Sequence, residues 1–155
     1  MILDLIMNIV HSIKERMKKQ MKKLWNTAFG YFLAAMAAGV FYREFTKFND
    51  FTGRTTLAFT HVHLMVLGTM VFLFLGLAAK VTYLMKQKGF HKSYIIYNVA
   101  LPFMMVVMIV RGIFQTLGTE LSRGADAAIS GIAGLTHIAI AGALIYLFTI
   151  LRKTE

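Results

Sequence analysis

The chain has no cysteine and a single proline in 155 residues, and only 7 acidic residues stand against 17 basic ones. The missing cysteine excludes disulfides, thiolate metal sites, iron–sulfur clusters and covalent haem attachment through C-x-x-C-H. No cleavable signal peptide is visible, because Asp4, Lys14 and Glu15 interrupt the first apolar residues. Within the apolar stretches there is no acidic relay of the kind that proton-coupled transporters carry.

What fills the chain instead is apolar: 57% of it is hydrophobic and the mean hydropathy is +0.63, a balance of a membrane protein. Crossing a bilayer takes roughly 17–25 apolar residues. Four stretches qualify, at about Trp25–Tyr42, Leu57–Ala79, Tyr94–Leu117 and Ala127–Leu151. The net charge of +10 is distributed by loop rather than as a nucleic-acid-binding face. Lys14, Arg16, Lys18, Lys19, Lys22 and Lys23 precede the first span, Lys80, Lys86, Lys88 and Lys92 surround the second connection, and Arg152 and Lys153 follow the last span. In the other two connections, Arg43, Lys47, Arg54 and Arg123 are balanced by Glu44, Asp50, Glu120 and Asp126. Basic loops stay in the cytoplasm, so the expected fold is all-α, a four-helix transmembrane bundle with both termini inside, in a plasma membrane.

Residues 1–24 form a first unit, with Ile2, Ile6, Ile9, Ile13, Met17, Met21 and Leu24 at helical spacing. The pattern reads either as an amphipathic helix on the inner membrane surface or as a topogenic extension of the first span. Residues 25–155 form the bundle. Gly30, Ala34 and Ala38 line the first span for close helix packing. Pro102 should kink the third, and Met104, Met105 and Met108 read as deformable core. Trp25, Tyr31 and Tyr42 read as interfacial aromatics. A weak internal repeat aligns "HLMVLGTMVFLF" at His63 with "HIAIAGALIYLF" at His137, pairing Gly68 with Gly142.

Histidine is the chemically informative residue. In an up-down bundle the second and fourth spans run parallel and face each other diagonally. At about 1.5 Å per residue, His63 and His137 then differ in depth by only ~3 Å. Opposed imidazoles in an apolar slot suit the two axial positions of haem b iron. Zinc or copper would want further ligands, and no cysteine or acid lies at that depth. His63 shares a face with Thr56, Thr60, Leu67 and Met70, which makes Met70 a candidate contact. Gly68 and Gly142 either give a flat macrocycle room or serve helix packing. His61 points about 200° away from His63. It is left as an alternative ligand, a hydrogen-bond partner or a contact to another subunit of a homodimer. Arg111, placed at nearly the level of His63, needs an anion, either a haem propionate with Arg43, Arg54 or Arg123 assisting, or Glu44 or Glu120, unless it simply snorkels to the interface. His11 and His91 read as interfacial and loop residues.

The stretches "GVFYREFTKFN", "LAFTHVHLMVLG" and "LTHIAIAG" resemble a bacterial family of small four-span membrane proteins, similar to the HsmA-type haem-sensing membrane proteins. The resemblance covers roughly Met21 to Arg152, and "THVHLMVLG" is its most specific part. It implies haem binding through His63 and His137, with haem sequestration, sensing or redox buffering as the task. A more distant likeness is to the haem-ligating helices of respiratory oxidases. Two other classes stay open, a quinol-linked electron-transfer cytochrome with a quinone pocket and a histidine-lined metal permease.

Overall fold

The computed structural model describes residues 2–154, with side chains from Asp4 onward, so Ile2 of the apolar stripe lies outside the described side chains. Among the described residues all regular structure is helical. Helix α1 spans Ile2–Phe48, α2 Leu57–His63 and α3 Val71–Val81. Between α2 and α3 the chain stays helical as a π turn, Leu64–Met70, so the three segments form one rod. A short 3-10 turn, Leu84–Lys86, precedes α4, Phe90–Thr116, and α5, Arg123–Leu151. Four helices are long and apolar enough to cross a membrane. The protein is a multi-pass membrane protein of helical-bundle type.

Residues 1–24 are not a separate element: α1 passes through Trp25 without a break. No glycine or proline occurs before Gly30 to interrupt it. At about 1.5 Å per residue the helix is about 70 Å long, more than twice the bilayer core. Residues 4–20 are exposed throughout. Their apolar stripe is in phase with Leu24, Ala28 and Ala35, which are buried in the bundle.

The packing order is α1 against the second rod, the rod against α4, and α4 against α5. Leu24, Ala35, Phe72, Leu75, Tyr97, Leu101, Met104 and Met105 form the centre of the core. Small residues set the close approaches. A Cβ added at Gly68 would lie 2.5 Å from Tyr31 Cγ, and one at Gly76 would lie 3.3 Å from the Trp25 ring. The rod therefore presents Gly68 and Gly76 to aromatic side chains of α1. At the other contact, a Cβ on Gly112 of α4 would meet the Leu57 backbone nitrogen at 2.7 Å. Hydroxyls reinforce that crossing: Thr55 Oγ1 donates to the Gly112 carbonyl at 2.9 Å and Thr56 Oγ1 to the Met108 carbonyl at 2.7 Å. At the basic end, Gly89 adopts φ +92°, a left-handed conformation that glycine takes without steric cost.

Tyr31 is not the interfacial aromatic the sequence led us to expect. Its ring stacks on Phe72 at 5.7 Å and its hydroxyl donates to Asn98 Oδ1 at 3.0 Å. Burying an aromatic ring while satisfying its hydroxyl inside the bundle removes any need for the water interface. Tyr97 is likewise buried, and its hydroxyl donates to the Leu67 carbonyl within the π turn at 2.7 Å. Interhelical hydrogen bonds in membranes are worth about 0.6 kcal/mol on average and up to about 1.7. Tyr97→Phe is expected to lower the unfolding free energy within that range, measured by denaturant unfolding in micelles. An unchanged stability would mean that the π turn holds without this bond.

Candidate functional site

The geometry brings together two of the three intramembrane histidines. His63, at the end of α2, and His137, midway along α5, have ring centroids 6.2 Å apart and planes at 85°. Each ring is held by its own helix: His63 Nδ1 lies 2.8 Å from the Phe59 carbonyl and His137 Nδ1 2.7 Å from the Ala133 carbonyl. A carbonyl oxygen only accepts, so both Nδ1 atoms carry the proton and donate. In the neutral ring this leaves the Nε2 lone pair available, the arrangement by which a backbone carbonyl fixes the tautomer of a ligating histidine. With metal–nitrogen bonds of about 2.0–2.1 Å, an imidazole–metal–imidazole array puts its ring centres about 6 Å apart.

His61 takes no part in this pair. It faces α1, where a Cβ on Gly39 would lie 3.7 Å from its Cβ, and its Nδ1 is buried without a hydrogen-bond partner. The near-opposite directions of residues two apart on a helix account for the separation. Among the described residues no group of three or more His, Cys, Asp or Glu could hold a metal ion. The donor set is two imidazoles. That number suits a macrocycle-bound metal, whose other positions are filled by the macrocycle, better than a bare zinc site.

Arg111 lies further out than its expected level. Pairing of Thr56 with Met108 and of Leu67 with Tyr97 places His63 opposite Leu101 of α4. Arg111 is then about 15 Å toward the opposite end from the basic loops. Its partners are Ser130 Oγ at 2.7 Å and Asp126 Oδ1 at 3.7 Å, rather than Glu44 or Glu120. Both partners come from the first two turns of α5, which packs directly on α4, whereas Glu44 sits on α1 beside Arg43. Arg111 and Arg123 line one pocket of about 320 Å³ with Phe114, Gln115 and Asp126.

A family model described as a protein of unknown function, DUF2871, matches residues 21–154. The chain belongs to the DUF2871 family. No curated protein and no solved structure matches it.

All the residues of the histidine pair and the arginine pocket lie within the part of this DUF2871 chain that the family covers. The remaining sequence candidates divide. Gly68 does not border the histidine pair; it is buried against Tyr31, because the α1 contact needs a residue without a Cβ there. Met70 closes the π turn with 48% of its surface exposed. Gly142 lies on α5, where an added Cβ would meet nothing within 4 Å, and Gly131 and Gly134 are equally open. The aligned glycines of the internal repeat thus occupy different environments. Sequence reasoning missed Ser130, Tyr97, Asn98 and the π turn. Only the hydroxyl-rich "RTTLAFT" before the first histidine hinted at the polar contacts that fix its helix.

Proposed function

We propose that this DUF2871 protein binds haem b in the membrane, with His63 and His137 as the two axial ligands. The observation that carries the reading is the 6.2 Å separation of two rings whose Nδ1 atoms are both committed to backbone carbonyls. When bound, haem supplies one-electron redox chemistry at its iron. The chain's own part is to present two imidazoles 6.2 Å apart with both Nδ1 atoms committed to backbone carbonyls, His63 half-buried and His137 exposed on the face of α5. With both axial positions filled by protein, the site favours haem sequestration, sensing or redox buffering over oxygen chemistry.

Gly134, one turn before His137 on α5, has open space beside it that a flat ring could use. Arg111 and Arg123 would be the cations for the propionates of a bound haem; in the structure Ser130 and Asp126 hold Arg111. In this orientation both termini face the cytoplasm of a bacterial cell, and the basic part of α1 before Trp25 continues out of the membrane on the inner side, with its base beside the anionic leaflet.

Titration of the purified full-length protein with haem is expected to saturate at one haem per chain. Arg111→Gln should weaken binding by about tenfold, the scale of a lost charge-assisted contact, without altering the ligand-field spectrum. A changed spectrum would place Arg111 at the iron instead. A second reading, electron exchange with a quinol, is favoured by an apolar groove of about 500 Å³ lined by Tyr31, Ala38, Leu64, Pro102 and Met105. Leu64 adjoins His63 in sequence. Reduction of the haem by a quinol analogue would support that role, and failure to reduce it would leave sequestration or sensing.

A further inference from the structure

The end of the bundle that carries the basic loops holds a cavity of about 300 Å³ between α1, the 3-10 turn and the start of α4. Its wall includes Lys23, Leu24, Met85, Phe90 and Tyr94, and it shares Gln20 and Lys23 with a groove of about 580 Å³ that adds Lys19 and Lys22. Among the described residues neither space is lined by an Asp or Glu. The nearest acid along α1, Glu15, is already engaged by Lys18 at 2.9 Å. The charge of Lys19, Lys22 and Lys23 is therefore uncompensated by the lining.

The walls are fixed rather than loose. Lys23 Nζ sits 4.2 Å from the centre of the Tyr94 ring, and the Tyr94 hydroxyl is 2.7 Å from Thr27 Oγ1. Gln87 Nε2 donates to the Lys153 carbonyl at 2.9 Å, tying the connection to the C-terminal end. The cavity lies where α3 ends at Val81 and α4 begins at Phe90, the level at which apolar spans give way to water.

We infer that this pocket binds the phosphate of an anionic phospholipid, with Lys19, Lys22 and Lys23 as counter-charges. The apolar floor of Leu24, Met85 and Phe90 receives the glycerol and first methylenes. Cations beside apolar surface at the interface suit a lipid, whereas a free anion has no use for the floor. The site is independent of the histidine pair, which lies deeper and toward the other end.

The test uses full-length protein in micelles doped with phosphatidylglycerol or phosphatidylcholine and weighed by native mass spectrometry. One phosphatidylglycerol should remain per chain, and phosphatidylcholine should not. At roughly fivefold per lysine, the combined variant Lys19→Gln, Lys22→Gln and Lys23→Gln should lose about a hundredfold in affinity. The control Lys14→Gln, Arg16→Gln and Lys18→Gln removes the same charge from the same helix outside the pocket, and should stay within about threefold. Equal losses in the two variants, equal retention of the two lipids by the native chain, or displacement of the lipid by millimolar inorganic phosphate would each overturn the inference.

Discussion

Replacing His63 or His137 with alanine is expected to lower haem affinity at least about a hundredfold, since even outer partners of metal ligands are worth 10- to 100-fold. Each ring is pinned by its own helix carbonyl, so neither can swing over to take the place of the other. His61→Ala should retain haem, because that ring faces Gly39 of α1 and lies outside the pair. The check is haem absorbance per protein after gel filtration of each variant reconstituted in parallel. Retention by the His63 and His137 variants with loss in the His61 variant would reverse the ligand assignment.

The largest effect on stability is expected at Gly112. A methyl there would meet Leu57 Cγ at 2.6 Å, the Leu57 backbone nitrogen at 2.7 Å and Thr56 Oγ1 at 2.9 Å. Backbone cannot rotate out of the way as a side chain does, so α4 and α2 must separate. Separation also lengthens the bonds from Thr55 and Thr56 to the Gly112 and Met108 carbonyls. Overpacking alone costs about 1–3 kcal/mol, and Gly112→Ala should reach the upper part of that range. Because α2 carries His63, haem affinity should fall with it. Gly142→Ala is the matched control: nothing lies within 4 Å of the new methyl, and helix propensity favours alanine by up to about 1 kcal/mol. Unfolding of both variants in the same micelle measures the difference. Equal stability of the two would mean that the α2–α4 crossing is looser than its contacts imply.

The four spans were legible in the sequence because lipid imposes a minimum length of continuous apolar residues that little else in a chain of this size produces. The facing of His63 and His137 was also legible, since antiparallel neighbours make alternate helices parallel and residue counts then fix depth. The passage of α1 through Trp25 was one of two readings left open, because the lack of a breaker favours continuity while the change from basic to apolar composition looks like a boundary. Three features were not legible. The π turn Leu64–Met70 has no periodic signature, because seven residues are too few to reveal a change of pitch. Arg111 was misplaced in depth because its distance from a helix end was counted without knowing how α4 and α2 are staggered. The Thr56 and Tyr97 hydrogen bonds that set this stagger join residues far apart in sequence. Gly68 shows the same limit: its spacing from His63 was visible, but not that Tyr31 fills the space beside it.

The account rests on two imidazoles of this chain reaching one iron. Its most direct test is the low-temperature electron paramagnetic resonance spectrum of the haem-saturated, oxidised full-length protein, with the Soret absorbance recorded on the same sample. The prediction is a low-spin ferric signal of two-imidazole type that disappears in both His63→Ala and His137→Ala. A folded preparation that takes up no haem, or a high-spin signal unchanged by either substitution, would contradict it.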